Sequence, residues 1–195
     1  MKQSLPRVYL ARHGQTEWAV TGQHTGRTDI PLTTIGEAEA RSLAERIGMS
    51  TFTAVLTSPS QRARRTAELA GFSNAVIDED LAEWDYGQYD GLRTDEILVR
   101  QPGWNVFTDG GPGGESAAQM TARADRIVAK VRAINADVLL FTSGHIGRSI
   151  AARWIGQPIT LGAFLLLSTA SLSILSYDHG LNHPAILSWN ETGRD

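Results

Sequence analysis

The sequence predicts an α/β protein, a three-layer α/β/α sandwich in which a mostly parallel, mixed sheet carries helices on both faces. Three observations predict it. Strand-like apolar runs alternate with helix-like stretches from Val8 onward, without an internal repeat or a long linker. Three of those runs end in polar residues beside a glycine or proline, at Arg12-His13-Gly14, Ser58-Pro59 and Ser143-Gly144. The last two runs, Ser171 to Tyr177 and Ala185 to Trp189, are separated only by a turn at Asp178 to Pro184. They are close enough to pair as a hairpin, which adds the antiparallel part.

In order, Val8 to Ala11 reads as a short buried strand broken at Gly14, and Thr21 to Asp29 as a polar, turn-rich loop. Thr34 with Glu37 forms a capping-box pattern. Ala38, Ala40, Leu43, Ala44 and Ile47 then recur at helical spacing, and Gly48 closes that helix. Phe52 to Thr57 is the second strand, a helix runs from Ser58-Pro59 to about Ala70, and Ala75 to Ile77 is a short third strand. Leu81 to Leu92 reads as loop, Thr94 to Arg100 as a brief helix, and Pro102 through Gly110 to Gly114 as a second loop. Ser116 opens the longest helix, to about Asn135, with Ala118, Ala122, Ile127, Val131 and Ile134 marking its inner face. Val138 to Thr142 is the most apolar strand and hence expected at the centre of the sheet. Gly144 leads into a helix ending near Gly156.

Composition narrows the classes. The 195 residues suit one domain, 1–195, and 42% hydrophobic with 20% charged residues is the balance of a soluble globular chain. A net charge of -3, with Arg62, Arg64 and Arg65 as the only basic cluster, gives no footprint for nucleic acid. The absence of cysteine excludes disulfides and thiolate metal sites. Met1 to Pro6 has no apolar signal core, and the longest apolar run, Ala163 to Leu167, is too short to cross a bilayer. The expected address is the cytoplasm, with no membrane partner.

Four stretches carry chemistry. Arg12 and His13 fall at a strand's carboxyl end, where open α/β sheets place their ligand crevices. A guanidinium fork suits phosphate or carboxylate, and a neutral imidazole can act as nucleophile or base. Arg62 lies in the first turn of a helix, against the usual dipole preference, a cost of about 0.3–1 kcal/mol that a bound anion would offset. The alternative is a solvated face formed by Arg62, Arg64 and Arg65. In Leu81 to Gly91, Glu83 or Asp85 beside Trp84 and Tyr86 could serve as a proton donor, or the aromatics could simply anchor the loop. Ser143, Gly144 and His145 open a helix, where Ser143 and the Gly144 amide can bind phosphate oxygens and the dipole disfavours protonation of His145.

These motifs, in this order, resemble the histidine phosphatase superfamily, also called the phosphoglycerate mutase-like proteins. The resemblance rests on Arg12-His13-Gly14, on Ser58-Pro59 with Arg62-Ala63 and Thr66-Ala67, and on Leu81, Glu83 and Gly87 to Gly91. Gly114-Glu115-Ser116 and Gly144 to Arg148 complete it. It implies that His13 is phosphorylated and then hydrolysed, that Arg12 and Arg62 hold the phosphate, and that Glu83 protonates the leaving oxygen. It also implies substrate contact through Gln15, Gln23, Thr25, Gly26 and Tyr86, a small-molecule phosphate ester as partner, and no cofactor or metal. A homodimer is left open. The family usually has His-Gly with an arginine five residues after the histidine, and counting back from Arg148 lands on Ser143. Either His145 takes that place or Ser143 supplies a hydroxyl, and a slower enzyme is the expectation.

Gly22 to Asp29, Glu83 to Gly87 and Trp104 to Gly110 are most similar to sedoheptulose-bisphosphatase-like and broad-specificity acid phosphatases. Arg93 and Arg100 are the only basic residues between Asp90 and Gly114, which favours hydrolysis over mutase-type transfer. The alternatives are such a mutase, or a phosphate-binding protein that has lost catalysis. A metal hydrolase built on His13, His24, His145, His179 and His183 finds no recognisable ligand motif.

Overall fold

The structure, a computed structural model, describes residues 5–193; Met1 to Ser4, part of the stretch without an apolar signal core, and the last two residues lie outside the described range. The chain runs β1 (Val8–Arg12), α1 (Glu17–Thr21), α2 (Thr34–Ile47), β2 (Ala54–Thr57), α3 (Gln61–Leu69), β3 (Val76–Ile77) and α4 (Thr94–Arg100). It continues with α5 (Val106–Asp109), α6 (Ala117–Ile134), β4 (Val138–Thr142), α7 (Gly144–Trp154), β5 (Leu172–Tyr177) and β6 (Pro184–Glu191). One sheet has the order β3-β2-β4-β1-β5-β6. Its first four strands pair in parallel, while β5 is antiparallel to β1 and β6 to β5. This is the mixed sheet the sequence predicts, with β4 central and the C-terminal hairpin in place.

The alternation of side chains along β1 and β4 sorts the core into two layers. Val8, Leu10, Val138 and Leu140 pack with Ile127 and Val131 of α6 and Ile146 and Ile150 of α7. Tyr9, Ala11, Leu139 and Phe141 pack on the other face against Leu43 and Ile47 of α2 and Ala67 of α3. Strands covered on both faces must be apolar at every position, and each buried aliphatic side chain contributes about 1.5–3 kcal/mol. At the start of β1 the Arg7 amide donates to Asp137 Oδ1 at 2.9 Å and its guanidinium to Oδ2 at 3.0 and 3.2 Å. The Val138 amide returns a bond to the Arg7 carbonyl at 3.0 Å.

Several local expectations are corrected. Thr33, not Thr34, caps α2, its hydroxyl accepting from the Gly36 amide at 3.0 Å; Glu37 instead pairs with Arg41 and Arg65. Ala38 and Ala44 face solvent, and Gly36 joins Ala40, Leu43 and Ile47 on the buried side. The inner face of α6 is Met120, Ala124, Ile127, Val128 and Val131, with Ala118 and Ala122 exposed. Its start is a capping box between Ser116 and Gln119. The stretches read as loop contain α5 and the 3-10 turn Gly87–Tyr89, while α1 and a second 3-10 turn, Glu79–Leu81, fall in segments given no element and overlap the loops only at Thr21 and Leu81. Among the described residues no helix is long and apolar enough to cross a membrane.

Candidate active site

Because β1, β2 and β4 are parallel neighbours, their carboxyl ends come level, with Arg12 opposite Thr142 and Thr57 opposite Phe141. The His13 amide donates to the Thr142 carbonyl at 2.9 Å, and the Ser58 amide to that of Phe141 at 2.9 Å. Above these ends lies a cavity of about 100 Å³ whose walls include Arg12, His13, Glu83, Tyr86, Gly144 and His145. Gln23 and Thr25 form part of its rim.

His13 is 4% exposed, and its Nδ1 stands 2.8 Å from the Gly14 carbonyl oxygen. A carbonyl only accepts, so Nδ1 carries the proton and Nε2 keeps its lone pair. Burial, and after it the Arg62 and Arg12 guanidinium groups, push this imidazole well below its ordinary pKa. It is a neutral base held beside two cations. The turn that carries it is fixed by the backbone: the Gly14 amide donates to Thr66 Oγ1 at 3.0 Å, and a Cβ on Gly36 would collide with the Gln15 carbonyl. Main chain therefore packs on main chain where β1 meets α2.

Arg62, 1% exposed in the first turn of α3, spends Nη2 on the carbonyls of Thr25 and Gly26 at 3.0 and 3.1 Å and Nη1 on that of Thr28 at 3.2 Å. Arg12 spends Nη1 on the Leu167 carbonyl. Three buried polar atoms nearby have no hydrogen-bond partner among the described residues: Arg12 Nε, Arg62 Nε and Ser143 Oγ. Burial lowers both arginine pKa values, and for each the strongest opposing charge is that of Glu83. Arg62 backs the cavity rather than lining it. Arg65 pairs with Glu37 and Glu68 on the solvated face.

Ser143 holds the N-cap position of α7 without capping it. Glu83 caps instead. Its Oε2 accepts from the His145 amide at 3.0 Å, and its Oε1 from the Ile146 and Trp84 amides, both at 2.9 Å. Oε1 is thus filled by two donors, while Oε2 keeps an open lone pair. A Cβ on Gly144 would lie 3.6 Å from both Oε2 and the Arg12 guanidinium carbon, which places these groups around one point. Of the two carboxylates read as candidate donors, Asp85 turns away and pairs with Arg27 at 2.6 Å. Arg123 of α6 holds the loop that carries Glu83, donating to the carbonyls of Asp80, Ala82 and Glu83 while paired with Glu115 at 2.6 Å.

Tyr86 Oη lies 2.5 Å from His145 Nδ1, and the ring centroid of His24 lies 4.8 Å from that of Tyr86. Gln15 departs from expectation: its Oε1 accepts from Thr33 Oγ1 at 2.9 Å, and it ties the His13 turn to α2 instead of reaching the cavity. Gly26 belongs to a separate 660 Å³ groove on the far side of Glu83. Sequence reasoning assigned no substrate contact to His24, Thr16, Ala19, Arg148 or Leu167, which also line the cavity. His24 sits between two residues that were singled out and Arg148 in the motif used for counting; the others carry no signal in their residue type. Among the described residues no group of three or more His, Asp or Glu side chains is placed to hold a metal ion.

The sequence model of the histidine phosphatase superfamily (branch 1) matches residues 8–192. An acid phosphatase of Mycobacterium tuberculosis is 39% identical over 185 residues, covering 93% of this chain and 91% of the relative. A sedoheptulose 1,7-bisphosphatase of Saccharomyces cerevisiae is 34% identical over 187 residues, covering 79% of this chain and 69% of the relative. The solved structure of a Mycobacterium tuberculosis open reading frame product superposes with a TM-score of 0.92 at 37% identity, covering 97% of this chain and 99% of that one.

Proposed function

The chain belongs to the histidine phosphatase superfamily, and from that premise we infer that it is a metal-independent phosphomonoesterase of small phosphorylated metabolites, acting through a phosphohistidine on His13. The observation that carries the reading is the set of unpartnered donors, Arg12 Nε, Arg62 Nε and Ser143 Oγ. Buried donors without acceptors are costly; Arg12 lines the cavity, where a tetrahedral anion would supply an acceptor, and the Arg62 charge stands behind it, close enough to act on His13.

In the proposed cycle the Nε2 lone pair of His13 attacks phosphorus while the ester oxygen departs. Glu83 Oε2 supplies the proton that oxygen needs. Water then attacks the phosphohistidine, the Glu83 carboxylate takes the water's proton, and inorganic phosphate leaves with His13 restored. No metal enters. The relatives' names, acid phosphatase and sedoheptulose 1,7-bisphosphatase, support a sugar phosphate or similar small ester as substrate. A cavity of about 100 Å³ is well below the usual range of ligand pockets, roughly 300–1,000 Å³, and suits one phosphoryl group with the rest of the ester at its mouth.

The test is release of phosphate from p-nitrophenyl phosphate and from a sugar phosphate by the wild-type protein and by His13→Ala. The variant should release none, and the wild-type protein quenched in alkali should carry a phosphohistidine that acid destroys. Wild-type turnover by His13→Ala would rule out the nucleophile.

A further inference from the structure

The proposed cycle leaves one part-buried pair unused. Tyr86, 1% exposed, places its Oη 2.5 Å from Nδ1 of His145, the second residue of α7. Burial first, and then Glu83, drives the phenol pKa well above its ordinary value, so the hydroxyl keeps its proton. Burial first, followed by Arg148 on the same helix, His24 on the facing loop and Arg12 on β1, pushes the imidazole well below its own. The Glu83 carboxylate bonds the His145 backbone amide and not its ring. Both partners are neutral.

A neutral phenol and imidazole can bond in either direction, and the surroundings choose. Oη has no other acceptor among the described residues, so a bond donated by Nδ1 would strand the phenolic proton in the interior. Tyr86 therefore donates and Nδ1 accepts, which puts the imidazole proton on Nε2. That nitrogen has no protein partner among the described residues, and it belongs to a part-buried ring on the cavity wall, packed against Phe107 at 5.3 Å and His24 at 5.8 Å.

We propose that Tyr86 is a positioning residue that fixes His145 as the Nε2–H tautomer. The cavity thereby presents an uncharged donor to an oxygen next to the scissile ester. The inference rests on the phosphatase reading and deepens it by naming the group that would select phosphate esters of polyols or sugars over esters of plain alcohols. A neutral donor holds a hydroxyl without competing with the two arginines for the phosphoryl group.

Two measurements test this. Nitrogen-15 spectra of histidine-labelled protein report the His145 tautomer without turnover, with His145→Ala assigning the signal. The wild-type protein should show Nε2–H, and Tyr86→Phe a mixture of tautomers. Hydrolysis of glycerol 3-phosphate against n-propyl phosphate compares leaving groups that differ in their hydroxyls. The wild-type protein should favour the glycerol ester in kcat/KM by about 2- to 12-fold, the range of one neutral hydrogen bond, and both Tyr86→Phe and His145→Ala should erase the preference. An Nδ1–H or doubly protonated wild-type ring, or a preference that survives in either variant, overturns the proposal. Wild-type protein that hydrolyses neither ester overturns the phosphatase reading and the leaving-group role with it, while the spectrum still decides the tautomer.

Discussion

Glu83→Gln separates the two jobs of one carboxylate. The glutamine oxygen can keep the two amides that Oε1 now accepts, but the new NH2 group faces the His145 amide, which at present donates to Oε2 at 3.0 Å. The variant loses one charge-assisted hydrogen bond, about 1.5–3 kcal/mol, and the attraction of a negative charge to the N-terminus of α7, about 0.3–1 kcal/mol. A loss of about 2–4 kcal/mol lowers Tm by roughly 4–16 °C in a chain of this size. Loss of a general acid costs about 10²–10⁴ in rate when the leaving group needs a proton. The assay therefore pairs n-propyl phosphate, a poor leaving group, with p-nitrophenyl phosphate, whose anion leaves unassisted, both well below the variant's Tm. Activity on the propyl ester should fall far more steeply. Equal losses on the two esters would refute the proton-donor role, and an unmoved Tm would refute the capping role.

Three further outcomes are expected. Ser143→Ala removes a hydroxyl that has no partner among the described residues, so Tm should hold within a degree or two while vanadate or phosphate binds about 2- to 12-fold more weakly; unchanged binding would show that the hydroxyl never meets the anion. Gly36→Ala forces a methyl onto the Gln15 carbonyl and should cost about 1–3 kcal/mol by overpacking, with kcat falling because the His13 turn must shift; calorimetry and turnover together check it. His13, His24 and His145 all have folded-state pKa values below the ordinary 6.5, so the unfolded chain takes up protons first as pH falls. Their contribution is complete above about pH 7 and is lost as pH drops through 6.5 toward the folded values, at up to about 1.4 kcal/mol per pH unit for each histidine. Denaturant midpoints that stay flat from pH 7 to 5 would contradict the burial of these rings.

The sheet was legible because its signals are long and redundant: every strand lies within two residues of its expected bounds, and apolar β4 is central as its composition implies. What escaped was short or degenerate. α1 and α5, of five and four residues, are held by side-chain caps at Thr16 and Asn105 and are too brief to show a period. Adjacent threonines at 33 and 34 offer two equivalent caps, and only the geometry of α2 selects the first. Alanine is at home on either face of a helix, which is how Ala118 and Ala122 stood in for Met120 and Ala124. His13 and Gly144 sit at strand and helix ends that a sequence marks well, whereas Glu83 lies in a loop where Asp85 reads as an equal candidate. Gln15 was misplaced because its fate depends on Thr33, eighteen positions away, and no local pattern records that contact.

The ion pair between Arg7 and Asp137 has a consequence for the opposite end of β1. Val8, Tyr9, Leu10 and Ala11 are apolar toward both layers, so hydrophobicity alone would tolerate a slip of this strand by one position along its neighbour. Such a slip would swing a different side chain under the three strand tips and leave a stable molecule with the wrong atom in front of the ester. A two-pronged clasp at the strand's first step, outside the cavity, counts the residues out to His13 and works as an alignment pin. Chemistry at one end of the sheet is indexed from the other.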